Sequence, residues 1–357
     1  MADLEKPRQR KVAKEYRKSD QNMLSGVPLV ETWRGPFREC LHSGHAVVWE
    51  HGGGIVASWG DPELTMLPRS SSKMIQALPL VESGAADKFG LTEAHLALAC
   101  ASHQAAAVHF DMVNNWLSDL GLSEADLRCG PQESRDPEIR DALICQHGTP
   151  NQCHNECSGK HSGFLTLSKH LGSGAQYIDP EHPVQLAVRE AFEDVTGMDS
   201  PGFGIDGCSA PNFATSLSGL ARAMARYAAA GDDGSVRDRS AARLRRAMAK
   251  YPHLVAGELR SCTELMRAMD GRASIKSGAD GVFVGMVPEH KMGFAVKIAD
   301  GSGSAREVVA TNLLIGLGVL DPAHPAAIKY AHGPILNRNM IDTGHHKAAP
   351  ELAGWML

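Results

Sequence analysis

The stretch Ser70-Ser71-Ser72-Lys73, with Pro68 just ahead of it, places a serine and a lysine three positions apart. Residues at this spacing share one face of a helix, so the lysine amine can accept the serine proton. A serine hydroxyl becomes an effective nucleophile once a neighbouring base takes that proton. Pro68 favours a helix start ahead of Ser70, where the helix dipole stabilises an oxyanion. The alternative is a solvated, serine-rich turn, because a pattern with two fixed positions also arises by chance.

Two further motifs follow in an order that supports a Ser-Lys site. Ser102-His103-Gln104 ends a helical stretch, and Lys276-Ser277-Gly278 enters a C-terminal strand. Serine-reactive β-lactamases and penicillin-binding proteins show S-x-x-K, a second serine motif and K-[ST]-G in this order. The order therefore predicts an acyl-transfer site that includes Ser102 and Lys276. The alternatives are a helix-end cap at Ser102-His103 and an ordinary lysine beside a turn.

Strand-rich segments lie near both ends of the chain, and helices lie between them. Residues 45–59 predict a hairpin that turns at 50–54, and residues 281–287 and 291–298 predict two further strands. Helices are predicted at 91–102, 111–120, 185–195, 211–230, 239–250 and 305–319, with a kink at Pro79 and irregular loops at 129–158. The sequence thus predicts an α/β (α+β) fold. Its N- and C-terminal strands form one antiparallel sheet flanked by helices, and a mostly helical second lobe lies beside it.

The chain is predicted to form a single composite domain over residues 26–340. Its sheet lobe covers about 28–70 and 272–322, and its helical lobe covers about 71–271. Residues 341–357 form a C-terminal segment. Residues 1–25 are expected to form a flexible tail, which is rich in Lys and Arg, lacks an apolar stretch and does not resemble a secretory signal.

Composition excludes several classes of function. The 357 residues are 43% hydrophobic, which is ample for a large core, and the net charge of -5 does not indicate a nucleic-acid or membrane-surface partner. No segment approaches the ~18–20 apolar residues that a membrane span needs. The eight cysteines, without a signal peptide, predict reduced thiols in the cytoplasm.

A second cluster combines cysteine, lysine and histidine. It runs from Cys153 to His161 and includes Cys157 and Lys160, while Cys208 follows later in the chain. Thiolates and imidazoles bind zinc, but the cluster lacks a paired C-x-x-C signature. Buried, reduced cysteines are the interpretation that the spacing alone favours.

The motifs together resemble those of the rhizobial-type L-asparaginases, class 3 of the asparaginase II family. The likeness extends over residues 30–318 and is carried by the segments 68–73, 100–103, 155–161, 204–208 and 276–280. It implies a serine-β-lactamase-like fold, shared with glutaminases, and hydrolysis of L-asparagine to L-aspartate and ammonia. It also implies two Ser-Lys pairs, Ser70 with Lys73 and Ser102 with Lys276.

The resemblance further implies a zinc ion held by Cys157, Lys160 and Cys208. It places His161 and Asp206 beside that ion as substrate-positioning groups, and His103, next to Ser102, is a further candidate for substrate binding. A homodimer is expected. Two alternatives remain: another Ser-Lys hydrolase, such as a glutaminase or a β-lactam-reactive enzyme, and a zinc-binding protein without catalysis.

Overall fold

The computed structural model describes residues 26–357, so the tail predicted at 1–25 lies outside the described residues. The strands are β1 Val27–Arg34, β2 Phe37–Glu50, β3 Gly54–Trp59, β4 Thr65–Met66, β5 Phe203–Ile205, β6 Pro211–Phe213, β7 Thr215–Ser216, β8 Ser274–Ser277, β9 Val282–Val287, β10 Met292–Ile298, β11 Pro334–Leu336 and β12 Asp342–Ala348.

The α-helices lie mainly between the first and last groups of strands. They are α1 Lys73–Gln76, α2 Leu78–Glu82, α3 Ala85–Lys88, α4 Glu93–Ala99, α5 Ala107–Asp119, α6 Pro137–Cys145, α7 Ser158–Leu171, α8 Pro183–Thr196, α9 Leu217–Ala229, α10 Val236–Lys250, α11 Pro252–Val255, α12 Ser261–Ala268, α13 Gly303–Gly316 and α14 Pro325–His332. Short 3₁₀ turns cover Arg69–Ser72, Glu124–Asp126, Gln152–His154 and Pro288–His290.

The main sheet is antiparallel and unites both ends of the chain. Its strand order is β11-β12-β1-β2-β10-β9-β8, and β3 pairs with β2. The predicted fold class is confirmed, and the predicted hairpin is β2–β3. Gly52 and Gly54 in its turn have φ values of +84° and +98°, which glycine adopts without steric cost.

Helices pack closely onto this sheet. Helix α9 lies against β10 and β2, while α13 contacts β9, β10 and β12. A side chain at Gly293 in β10 would place its Cβ 2.2 Å from the backbone nitrogen of Ala225, so glycine is needed for this approach of helix and sheet. Among residues 26–357, no helix combines the length and the apolar character needed to cross a membrane.

Two predicted segments differ from the structure. Residues 211–216, predicted as the start of a helix, form β6 and β7, and α9 starts only after Ser216, whose hydroxyl caps it by accepting from the Gly219 amide. The region 129–158, predicted as irregular, contains α6. There Asp136 accepts from two amides of the first turn and Pro137 occupies the first helical position, a start signal that the surrounding polar residues obscure.

Residues 341–357, which the sequence analysis separates from the domain, contribute to the sheet. Strand β12 pairs with β1 from Val30 opposite Ala348 to Arg34 opposite Gly344. Beyond the strand, the indole nitrogen of Trp59 donates to the Glu351 carbonyl at 2.7 Å. This last segment therefore covers the edge that β1 would otherwise expose.

Candidate active site

The 3₁₀ turn Arg69–Ser72 presents three consecutive serines, and they differ in their hydrogen bonding. The hydroxyls of Ser71 and Ser72 donate to backbone carbonyls at 2.7 and 3.0 Å, and both side chains are buried. Ser70 is only partly buried, and within the described chain its hydroxyl makes no hydrogen bond. Ser70 is thus the serine of this turn that is available to a substrate.

Two buried lysine amines converge on the hydroxyl of Ser102. Lys73 Nζ lies 2.9 Å from Ser102 Oγ and also donates to the Ala101 carbonyl and, at 3.1 Å, to Cys157 Sγ. Lys276 Nζ lies 2.8 Å from Ser102 Oγ on the other side. The sequence predicts a pair of Lys73 with Ser70. In the structure the Lys73 amine instead donates to the buried acceptors named above. The structure thus joins Lys73, Ser102 and Lys276 by hydrogen bonds, and Ser70 lies outside this network.

The environment of Lys276 favours its neutral form. Burial, followed by the nearby positive charge of Lys73, lowers the pKa of Lys276 to about 7, while Cys262 and Glu156 act in the opposite direction. A buried ammonium is costly without a counter-charge, and a second ammonium beside it adds repulsion. Near neutral pH this amine can therefore act as a proton acceptor.

Two glycines allow the site to assemble. A Cβ on Gly278 would lie 2.9 Å from the Pro68 carbonyl oxygen and 3.1 Å from the Ser71 amide nitrogen, so the end of β8 touches the serine turn. A Cβ on Gly159 in α7 would lie 2.4 Å from the Leu98 carbonyl oxygen. This second contact brings the start of α7 against the end of α4, next to Ser102.

Arg69, which the sequence analysis did not single out, links the serine turn to two loops. Its guanidinium pairs with Asp206 at 3.0 Å and also with Asp280, in the loop after β8. Its φ of +54° is unusual for a residue with a side chain. Strained backbone beside a candidate nucleophile is typical of functional sites. The position directly before Ser70 is the signal that could have indicated it.

The predicted metal residues form a buried cluster. Lys160 Nζ donates to Cys208 Sγ at 3.1 Å. A hydrogen bond from the Cys157 thiol and the charge of Lys160 hold the pKa of Cys208 well below its usual range. Burial alone would lower the pKa of Lys160. The negative charges of Cys208 and Cys157 outweigh burial and raise this pKa. Both directions favour a thiolate on Cys208 paired with an ammonium on Lys160.

The donor set suits zinc. Two sulfurs and one nitrogen converge in a buried space, and zinc binds thiolates and nitrogen ligands. Lys160 must lose its proton to bind, which a metal can enforce by displacing it. Within residues 26–357, no group of three His, Cys, Asp or Glu side chains is arranged to hold a metal, so a metal bound here would need the amine of Lys160 as its third donor.

The three candidate substrate-binding residues lie around the lysine and cysteine clusters. His103 is buried; its Nδ1 accepts from the Ala105 amide at 3.1 Å and its Nε2 donates to Ser158 Oγ at 3.0 Å, so the fold uses both nitrogens. Asp206 is held by Arg69, as described above. His161 accepts at Nδ1 from the Tyr177 hydroxyl at 2.9 Å, and a hydrogen bond between its ring and Cys208 is among the causes that lower the pKa of that thiol.

Comparison with known proteins places this site in a family. The sequence profile described as L-asparaginase II matches residues 30–348. No curated protein matches the chain significantly. Similar solved structures include a β-lactamase from Mycobacterium bovis, which is 14% identical with a TM-score of 0.42, covering 74% of this chain and 89% of that chain. They also include a putative β-lactamase from Bacteroides dorei, which is 10% identical with a TM-score of 0.42, covering 80% and 90%.

The family match rests on sequence and spans most of the chain. It includes the serine turn, both lysines, Ser102 and the cysteine cluster, as well as all of β12. The chain belongs to the L-asparaginase II family.

Proposed function

We propose that this protein hydrolyses L-asparagine to L-aspartate and ammonia through an acyl-enzyme on Ser70. Membership of the L-asparaginase II family supports an asparaginase-type hydrolase. The observation that carries the mechanism is the position of the Ser102 hydroxyl, 2.9 Å from the Lys73 amine and 2.8 Å from the Lys276 amine. Such a chain can move a proton between a nucleophile and a leaving group.

In the first step, Ser70 Oγ attacks the carbonyl carbon of the side-chain amide. Its proton passes to Lys73 as Lys73 passes one to Ser102 and Ser102 passes one to Lys276, which starts neutral. The charge of Lys73 is unchanged and Lys276 becomes an ammonium. The backbone amide of Ser70 stabilises the oxyanion that forms.

In the second step, the tetrahedral intermediate collapses and the C–N bond breaks. Ser102 donates its proton to the leaving nitrogen and regains one from Lys276, so ammonia departs and Lys276 is neutral again. A water molecule then attacks the ester, and the same chain takes its proton and returns one to Ser70. Aspartate is released and every group regains its starting protonation state.

Ser70 is preferred over Ser102 as the acylated residue. The Ser70 side chain is partly exposed and unbonded, whereas Ser102 is 7% exposed and bonded on both sides. An acyl group on Ser102 would break the connection between the two lysines. The geometry therefore supports Ser102 as the proton carrier.

The test is ammonia release from L-asparagine, L-glutamine and a buffer blank, together with hydrolysis of a chromogenic β-lactam. Asparagine should be the preferred substrate, and Ser70→Ala should abolish its hydrolysis. Ser72→Ala is the matched control, because it removes a neighbouring hydroxyl that is bonded within the turn. Preference for glutamine or the β-lactam would replace the proposal with the corresponding Ser-Lys hydrolase, and full activity of Ser70→Ala would overturn the mechanism.

We also propose that Cys157, Lys160 and Cys208 hold zinc, which when bound would order the pocket wall beside Lys73. Lys73 donates to Cys157 Sγ at 3.1 Å, so the cluster and the lysine relay share a contact. Metal analysis should find about one zinc per chain, and Cys208→Ser should lose it and lower the melting temperature. Wild-type protein purified in zinc and found metal-free would contradict this proposal.

The resemblance also leads us to propose a cytoplasmic homodimer. The cysteines of the described chain are all free, which suits a reducing compartment. Light scattering of the purified protein measures the oligomeric state directly, and a monomer mass at micromolar concentration would contradict the dimer.

A further inference from the structure

Glu156 places a carboxylate beside the relay that the mechanism does not use. Its backbone carbonyl accepts from the amide of His103, the residue after Ser102, at 3.2 Å. The next residue, Cys157, directs its sulfur to Lys73. The negative charge of Glu156 also acts on Lys276 and tends to raise its pKa, although burial and Lys73 outweigh it. This carboxylate therefore lies close enough to Lys276 to act on it.

The segment around Glu156 is held rigidly. The Glu156 amide donates to Gln132 Oε1 at 3.1 Å, and the side-chain amide of Asn155 donates to the carbonyls of Cys129 and Gly130, both at 3.0 Å. A binding group on such a segment is fixed before the substrate arrives, which lowers the entropic cost of binding.

The Glu156 carboxylate has one oxygen free. Oε2 pairs with Arg135 at 2.6 Å, whereas Oε1 has no donor within the described chain. The Glu156 side chain is 25% exposed and that of Arg135 is 47% exposed. An ion pair this exposed contributes little to stability, so folding alone does not account for a carboxylate at this place.

Asparagine offers a group that matches this oxygen. Besides its side-chain amide it carries an α-ammonium and an α-carboxylate, and an enzyme that selects amino acids must bind these charges at a fixed distance from the nucleophile. An ammonium donates strong, charge-assisted hydrogen bonds to a carboxylate.

We propose that Glu156 binds the α-ammonium group of the substrate through its free oxygen and thereby restricts the enzyme to amides of α-amino acids. This inference rests on the proposed function and adds to it the residue that reads the amino-acid end. Arg135 pairs with the other oxygen and leaves this one available to the substrate.

The test compares two substrates that differ only in the α-amino group, L-asparagine and succinamic acid. Glu156→Gln keeps the size of the side chain and removes its charge. It should lower kcat/KM for asparagine about 30-fold, mainly through KM, and change that for succinamic acid by less than about 3-fold. Arg135→Gln is the matched control, because it breaks the same ion pair but leaves the carboxylate. It should change kcat/KM for both substrates by a similar, small factor.

The possible outcomes distinguish a failure of this inference from a failure of the proposed function. Equal losses on both substrates for Glu156→Gln, or the same substrate pattern for Arg135→Gln, would mean that Glu156 only braces the loop and would overturn the inference. A wild-type enzyme that releases no ammonia from asparagine would instead overturn the proposed function. Glu156→Asp, which keeps the charge, should recover more asparagine activity than Glu156→Gln.

Discussion

At the scale of single residues, the two lysines of the relay play unequal parts. Both are buried and both contact Ser102, and burial followed by the charge of Lys73 lowers the pKa of Lys276 to about 7. This suits a relay, because one amine must start neutral to receive the proton.

The lowered pKa of Lys276 predicts a pH dependence of activity. The kcat/KM for asparagine should rise as the pH increases through about 7, because Lys276 is then neutral and can accept the proton. Lys276→Met should remove most of the activity along with this limb of the profile. A wild-type rate that stays constant from pH 5.5 to 8.5, or falls, would argue against Lys276 as the acceptor.

The same residue predicts a pH dependence of stability. The pKa of Lys276 is about 7 when folded and near the ordinary value of 10.5 when unfolded. Between these values the unfolded chain binds more protons, so the contribution of Lys276 to the free energy of unfolding rises with pH across this window. Urea unfolding at pH 7.5 and 9 should show that wild type gains more than Lys276→Met. An identical change in both proteins would contradict the buried, neutral amine.

The sequence could identify the reactive residues but not their pairing. The motifs identified Ser70, Lys73, Ser102 and Lys276, because the spacing and order of motifs can be read directly from the chain. The bond from Lys73 to Ser102 joins residues 29 positions apart and depends on how α1 meets the segment after α4. The sequence also did not indicate Glu156, because a single carboxylate in a polar loop forms no recognisable pattern.

At the scale of elements, the contact between β8 and the serine turn sets the geometry of the site. Gly278→Ala should lower kcat at least tenfold, because its Cβ would lie 2.9 Å from the Pro68 carbonyl oxygen and push the turn away. Gly303→Ala is the control, since its Cβ would meet nothing closer than 3.8 Å at the start of α13. Both variants are compared by steady-state kinetics and melting temperature. Unchanged kinetics of a folded Gly278→Ala protein would show that this contact does not position Ser70.

Elements with a strong local pattern were predicted well, and those set by tertiary contacts were not. The hairpin β2–β3 and the strands β9 and β10 follow from short, continuous apolar runs bounded by turn residues. The short strands β6 and β7 have no such pattern. Strand β7 pairs with β4, which lies far away in the sequence, and β6 pairs with the nearby β5 across the turn at 206–210.

At the scale of the whole molecule, the last strand closes one side of the sheet. Residues 341–357 could not be joined to the domain from sequence, because β12 is polar and its partner β1 lies at the opposite end of the chain. The buried residues that follow it, Ala349 and Leu352, add an apolar anchor.

Removal of this strand should therefore destabilise the protein. A chain ending at residue 340 should melt at a lower temperature and aggregate more readily, because β1 loses its partner and presents an unpaired edge. A chain ending at residue 353 keeps β12 and both anchors and serves as the control. Equal melting temperatures for the two truncations would show that the strand contributes nothing to the fold.

The central claim is that the acyl group of asparagine is carried by Ser70. We would quench wild type and Lys276→Met with acid during turnover of L-asparagine and locate any covalent adduct by peptide mass spectrometry. The account predicts an aspartyl ester on Ser70 in wild type, and less of it in Lys276→Met, which lacks the amine that accepts the proton during acylation. An ester on Ser102, or rapid ammonia release with Ser70→Ala, would contradict it.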